Sequence, residues 1–387
     1  MIPLKYNVRN LRVRWVTTGL TVLGTALVVA SSCFLFGMVE GLQESLRVSG
    51  DPLDLIVLRK GSTSETTGGF DASKALEIAT IPGIQRDEKG APLCAGELLN
   101  IPVCERRDGS RTNLIVRGVD PASPAMRPKF ALVEGRMFEP GKGECIVARP
   151  ISGRFKGTRV GESLKCGDKE SYRVVGVFTA GGSAAESEVW VDRRDLERNT
   201  QRSGSVSVVQ LRAASEADRD AIQKTLQTGT QFGLLAQKET AYYADQQLTG
   251  TILLVIGSLI AVLLSIGAMF AAANTMFAAV KSRTREIGTL RALGFSRFDV
   301  LASFLGESVL LCTLGGLLGW LATLPMTALT FGTNDFNSFA ERTIQFRFGP
   351  LVFAVAFAMT MAMGVFGGLF PAIRAVRLDV IKALREV

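Results

Sequence analysis

Side chains able to do covalent or proton-transfer chemistry are sparse in this sequence. None of the 387 residues is histidine, which removes Ser-His-Asp and Cys-His catalysis and every imidazole metal site. Glu186 and Glu188 stand two apart in a strand-like run and therefore share a face; they read as a solvated pair, not as an acid and a base. No Gly-x-x-x-x-Gly-Lys-Ser/Thr run occurs, and the nearest look-alike, Gly141-Lys-Gly143, reads as a turn, so no P-loop cradles a nucleotide. No two cysteines have CxxC spacing. Cys33 and Cys312 fall in apolar runs as small fillers, whereas Cys94, Cys104, Cys145 and Cys166 lie between them. Four cysteines allow three pairings. Cys94 and Cys104, near the ends of one strand-like stretch, are the candidate disulfide, with free buried thiols the equal alternative. No catalytic residue, metal ligand or cofactor site follows from these residues, and the chain reads as a non-enzyme.

Four uncharged or nearly uncharged runs, Trp15–Val39, Gln246–Val280, Ser308–Asn334 and Phe348–Ile373, each exceed the roughly 20 residues that cross a bilayer as a helix. The first is too long for a signal-peptide core and reads as a retained anchor. The long segment 40–250 is neutral, with 29 Lys/Arg against 29 Asp/Glu, and 331–349 holds two of each. The net charge of +8 therefore sits in the N-terminus, the 281–299 connector and the C-terminal tail. The positive-inside rule places these three in the cytoplasm and 40–250 outside. A charge excess divided in this way is a topology signal, and no nucleic-acid-binding face emerges.

The expected organisation is a cytoplasmic interfacial helix at 1–14, membrane helices at 15–39, 251–280, 300–330 and 350–373, an extracytoplasmic α+β domain at 40–250, a cytoplasmic helix and turn at 281–299, an outer loop at 331–349 and a cytoplasmic tail at 374–387. The 40–250 domain is expected as two subdomains. Strands are expected at Asp54–Leu58, Leu98–Glu105, Thr112–Val119, Glu144–Ala148, Tyr172–Phe178, Glu188–Val191 and Ser205–Arg212, with Arg107-Asp-Gly-Ser110 as a hairpin turn. Ser215 and Asp218 cap a helix to about Gln227. Gly61–Gly69, poor in hydrophobes, reads as a mobile loop. A helix from about Glu239 leads into the second span without a breaker.

The connector Lys281-Ser-Arg-Thr-Arg-Glu-Ile-Gly-Thr-Leu-Arg-Ala-Leu-Gly294 is a short basic amphipathic helix between two spans. Ile287, Leu290, Leu293 and Gly294 fall on one face, with Arg283, Arg285, Glu286 and Arg291 around them. Such a helix fits a groove on a partner or the lipid headgroups equally well. Glu307, near the cytoplasmic end of the third span, reads as structural. Gly315/Gly319 and Gly364/Gly368 are small-xxx-small pairs that allow close helix packing.

Three stretches resemble the FtsX/MacB-type permeases, the membrane subunits of mechanotransmission ABC transporters. They are Arg283-Thr-Arg-Glu-Ile-Gly-Thr-Leu-Arg-Ala-Leu-Gly-Phe-Ser296, Glu307 with its glycine-rich span (Gly315, Gly316, Gly319), and Pro371-Ala-Ile-Arg-Ala-Val-Arg-Leu-Asp-Val-Ile-Lys-Ala-Leu-Arg385. Gly118-Val-Asp-Pro121 and Leu132-Val-Glu-Gly-Arg136 are weaker echoes. Val380 stands where the family usually has proline, so the tail helix is expected to run on uninterrupted. The resemblance implies a multi-pass protein of the bacterial cytoplasmic membrane with both termini cytoplasmic. It implies a separate cytoplasmic ABC ATPase dimer, carrying ATP and Mg, that grips the 283–294 helix. It also implies a second permease copy, identical or not, and, for export, an extracytoplasmic adaptor or membrane-fusion protein. Motion of the outer domain would then export or extract a substrate. The alternative is a signal relay that activates a cell-wall hydrolase without transport.

Overall fold

The structure, a computed structural model, describes residues 15–127, 129–167, 170–229, 233–246, 248–334 and 340–385. The interfacial helix expected at 1–14 lies outside them. The helices are α1 (Trp15–Ser49), α2 (Ala72–Ile78), α3 (Arg193–Asn199), α4 (Glu216–Thr228), α5 (Glu239–Gln246), α6 (Leu248–Ser282), α7 (Thr284–Ala292), α8 (Arg297–Thr323), α9 (Pro350–Val376) and α10 (Val380–Arg385). Four segments, centred on α1, α6, α8 and α9, are long and apolar enough to cross a membrane. The described residues divide into two compact units: those within 1–41, 251–329 and 346–387 form the helical unit, and those within 42–250 and 330–345 form the inserted α+β domain.

In the helical unit, glycines set the spacing between helices. A Cβ on Gly315 would stand 2.7 Å from the Val22 carbonyl oxygen, and one on Gly319 would run into the Ala26 carbonyl, so α8 touches the backbone of α1. Gly364 and Gly368 of α9 meet Val309 and Ser308 of α8 in the same manner, at 2.8 and 2.5 Å from a built Cβ. Lipid tails are as apolar as leucine, so close van der Waals contact of this kind is what holds such helices together. Cys33 and Cys312 fill the centre of this packing with Val29, Ala272 and Met363. By contrast, α6 leaves Val255, Leu259, Leu263 and Phe270 exposed.

The inserted domain is organised around one sheet of ten strands among the described residues. Across it the order is Leu234–Lys238, Asp54–Arg59, Val208–Arg212, Cys94–Asn100, Ile115–Val119, Glu188–Asp192, Glu144–Ala148, Glu170–Ala180 and Phe130–Gly135, with Ser163–Cys166 also on Glu170–Ala180. Most neighbours are antiparallel; Glu188–Asp192 runs parallel to Ile115–Val119, and Glu144–Ala148 to Glu170–Ala180. Several hydrophobic clusters serve this single sheet among the described residues. One is centred on Trp190, Phe178 and Tyr172, another on Leu55, Val209, Leu211 and Ile222, and a third on Ile56, Leu58, Leu99 and Val208. Ser215 accepts from the Asp218 amide and starts α4, as an N-cap does.

Two local expectations are corrected. Residues 331–349 are not a simple loop: Thr330–Asn334 and Glu341–Gln345 pair as an antiparallel hairpin that belongs to the inserted domain. Its anchor is Glu341, fully buried and held by Arg106 (2.6 Å) and Arg154. Nor does the tail helix run on past Val376. Arg377 caps α9, and the Asp379 carboxylate accepts from the Ile381 amide to start α10. Valine at 380 in place of the family's proline does not restore continuity, because Asp379 just before it favours an N-cap over a helix interior.

Candidate functional site

The connector is placed by its own punctuation. The chain leaves α6 at Ser282 and turns at Arg283, whose φ and ψ of −115° and 16° are not helical. After the nine residues of α7 the helix closes on Gly294 at φ +94°, a conformation glycine adopts without steric cost. The Phe295 amide donates to Leu290 O and the Gly294 amide to Arg291 O, the paired bonds of a Schellman ending. Ser296 and Asp299 then form a reciprocal capping box for α8.

The expected interface residues separate into two sets. Arg283 turns inward: Nη1 donates to Glu307 Oε2 at 2.9 Å, Nε lies 3.3 Å from Glu286, and the guanidinium stands 5.0 Å from the Phe304 ring centre. Arg283 and Glu307 are both buried. Ile287 is buried too, in a cluster with Met276, Val280, Val300, Phe304 and Ala372. The apolar stripe read from the sequence is therefore used by the chain itself, and Arg283 and Ile287 are not open to a partner. The physical reason is that a guanidinium near a membrane span needs a carboxylate, and Glu307 supplies one from α8. Arg285, Glu286, Leu293 and Gly294 remain exposed, Leu290 and Arg291 are half-buried, and α10 packs beside α7. Leu293 is 72% exposed and so is Phe298, the second residue of α8; Phe298 was not legible as a surface residue because its apolar type and neighbours resemble the start of a span.

The inserted domain contains a buried ionic cluster that the sequence reading missed. Arg117 lies in the sheet with Nη2 2.7 Å from both Glu188 and Glu65 and Nη1 2.7 Å from Glu97. Arg127 adds a second contact to Glu97 at 2.7 Å and lies over the Trp190 ring. Burial works against the Arg117 cation, yet Glu188, Glu65 and Glu97 raise its pKa well above the ordinary guanidinium value. Burial likewise opposes the Glu97 anion, and Arg127 and Arg117 overcome it, holding its pKa below the usual carboxylate value. Glu188 is thus not solvated as expected: it also accepts from the Trp190 indole, while Glu186 accepts from the Ala180 and Gly182 amides. Glu65 is buried, so its part of Gly61–Gly69 is pinned by Arg117. The available signal was a lone arginine inside the apolar strand Ile115-Val-Arg-Gly-Val119 and a lone glutamate in Cys94–Asn100. A small cavity of about 40 Å³ beside the cluster is lined by Glu65, Arg117, Glu188, Tyr242, Tyr243 and Arg342. It is large enough for a water molecule and too small for a drug-sized ligand.

A further buried carboxyl sits where the chain leaves the sheet for α5. Glu239 Oε2 accepts from the Asp51 amide at 3.0 Å, and its other oxygen accepts from Gln210. Burial, and then the nearby charge of Asp54, push its pKa up to about 8. The folded chain therefore keeps a proton that the unfolded chain releases near the ordinary value of 4.5. The contribution of this group to stability is full below that value and is lost as pH rises through about 8. Thermal unfolding of the full chain in detergent between pH 5 and 9 is expected to show falling stability, and Glu239→Gln is expected to flatten that slope. An unchanged slope in the variant would assign the pH dependence elsewhere.

Cys94 and Cys104 are not a pair. Cys94 Sγ packs at 4.0 Å from the Ala75 carbonyl, and burial pushes its pKa up to about 12. Cys104 faces Cys166 instead. The residues linking Cys94 to Cys104 run out along one strand and into the next, at Val103–Glu105, which separates the two thiols.

Residues 18–228 match the MacB-like periplasmic core domain family, and residues 252–380 match the FtsX-like permease C-terminal family. The chain belongs to the FtsX/MacB-like ABC transporter permeases, membrane proteins with four spanning helices and an α+β domain between the first and second. It is 30% identical over 274 residues to the macrolide export ATP-binding/permease protein MacB 1/2 of Paracoccus denitrificans, covering 66% of this chain and 40% of that protein. It is 24% identical over 394 residues to the macrolide export ATP-binding/permease protein MacB of Shewanella oneidensis, covering 95% of this chain and 58% of that protein. The chain thus spans between two fifths and three fifths of the length of these relatives. The crystal structure of the periplasmic region of MacB from Actinobacillus actinomycetemcomitans aligns over 53% of this chain and 96% of its own, at 9% identity and a TM-score of 0.40.

Proposed function

We propose that this permease couples a separate cytoplasmic ABC ATPase to movement of its inserted domain on the far side of the membrane, and that this movement exports or extracts a substrate there. One observation carries the reading: α7 is locked to its own bundle through Arg283 and Ile287, while Arg285, Glu286 and Leu293, with Phe298 of α8, face outward. A short helix anchored on one side and exposed on the other transmits a push. Its exposed side combines two apolar side chains with charged ones, the composition of a protein-docking rim and anchor. The reading takes the ATP-binding part to be another polypeptide, acting as a dimer on two permease copies. The basic flanks support a cytoplasmic position for α7 and for both termini. An adaptor on the outer side belongs to the same proposal.

The test is co-purification from native membranes. Leu293→Asp combined with Arg285→Glu is expected to reduce recovery of the associated P-loop ATPase at least tenfold at unchanged membrane yield. Undiminished recovery would sink the docking assignment. Recovery of a cell-wall hydrolase in place of an adaptor would replace export by signal relay.

A further inference from the structure

Cys104 and Cys166 come from distant parts of the inserted domain and meet with their sulfurs 3.5 Å apart. Both side chains are buried, at 2% and 1% exposure. The backbone beside them is also joined: the Gly167 amide donates to Val103 O at 3.3 Å, so the segments that carry the two cysteines are held next to each other. The other cysteines of this domain are placed differently. Cys94 packs against α2, and Cys145 lies in the middle of the sheet opposite Val174 and Val191. Burial raises the pKa of both thiols, which keeps them protonated and slow to react.

We infer that Cys104 and Cys166 form a disulfide in the mature protein, closing a covalent clasp between the strands Val103–Glu105 and Ser163–Cys166. This rests on the reading that the inserted domain is extracytoplasmic, where disulfides persist. The oxidant is a disulfide-carrying thiol oxidoreductase of that compartment. One cysteine thiolate attacks the oxidant's disulfide and forms a mixed disulfide; the second thiolate displaces the oxidant. The two thiols lose two protons and two electrons, one S–S bond forms, and the oxidant leaves as a dithiol. Burial of the pair requires that this occur before the sheet closes.

The clasp has a structural consequence. Cys104 precedes Arg106 by two residues, and Arg106 holds Glu341 of the 330–345 hairpin; Asn113, on the strand paired with Val103–Glu105, forms a bridge with Ala340. Oxidation therefore fixes the segment on which the hairpin between the third and fourth spans is seated. It also constrains the unfolded chain, because the bond closes a loop of about sixty residues.

The full chain is purified from membranes without reductant, denatured, alkylated and digested. A peptide linking Cys104 to Cys166 is expected, with Cys33, Cys94, Cys145 and Cys312 alkylated. Reductant is expected to lower the unfolding temperature of the wild type by roughly 5–10 °C and to leave unchanged the already lower value of the Cys104→Ala/Cys166→Ala variant. In parallel, Lys89→Cys, in an exposed turn, is probed in intact cells with a membrane-impermeant maleimide. A labelled reporter with Cys104 and Cys166 both alkylated before reduction overturns the disulfide and leaves the orientation standing. An unlabelled reporter that becomes reactive only after lysis overturns the orientation, and the disulfide with it.

Discussion

Arg117→Met is expected to destabilise the inserted domain by about 3–5 kcal/mol. The guanidinium is the shared partner of Glu65, Glu97 and Glu188, each buried. Removing it leaves Glu97 with Arg127 alone and strips Glu65 and Glu188 of the cation they share. Taking one member from a buried ionic group is far costlier than replacing the whole group, because the uncompensated charges stay out of water. Arg117→Lys is expected to recover only part of the loss, since one ammonium cannot reproduce the planar fork that serves several carboxylates at once. Unfolding of the full chain in detergent, followed by fluorescence of Trp190 in its stack with Phe130 and Phe178, reads the effect. A shift under about 1 kcal/mol would mean that the cluster is hydrated and that Arg117 is not its keystone.

Arg283→Glu is expected to be comparably damaging to the helical unit, for a different reason. It would set a new carboxylate against Glu307, with both groups buried beside a membrane span, and would also repel Glu286. Repulsion between buried like charges together with loss of the original pair again amounts to about 3–5 kcal/mol. The diagnostic is the exchange variant Arg283→Glu with Glu307→Arg. If the 2.9 Å contact is the reason for the damage, the exchange restores a large part of the folded yield measured by size-exclusion chromatography in detergent. If the exchange is no better than the single variant, Arg283 acts through its contact with Phe304 or through the turn it occupies. The same result bears on the coupling proposal. Reversing Arg283 damages the bundle itself, so loss of an ATPase in that variant says little about docking, whereas Leu293 and Arg285 can be changed without touching the buried pair.

Much of this molecule is written in short-range patterns. The spans follow from runs of uncharged residues longer than a bilayer is thick, and the connector between the second and third spans follows from a basic stretch ended by Gly294 and recapped by Ser296 and Asp299. The strands Asp54–Arg59, Glu144–Ala148 and Glu188–Asp192 follow from apolar runs between turn residues. The small-residue pairs are legible as candidates for contact, although their partners are not: nothing near Gly319 in the chain points to Ala26.

What local pattern could not decide was the direction and partner of each polar side chain. Arg283 and Arg285 are two apart and chemically identical, yet one is buried on Glu307 and the other is bare, because only one side of α7 meets α8. Glu186 and Glu188 share a strand-like run, yet Glu188 enters the Arg117 cluster. Cys104 pairs in space with a residue 62 positions away and not with Cys94. The 331–349 segment reads as a loop because its two strands are short, and the docking of Glu341 on Arg106 and Arg154 depends on residues 235 and 187 positions upstream. Sequence by itself determined the elements, since helix length, capping and turn formation are settled within a few residues. Tertiary structure alone decided which charges are paired and which remain available, because a buried charge is tolerable only where the fold brings its partner to it.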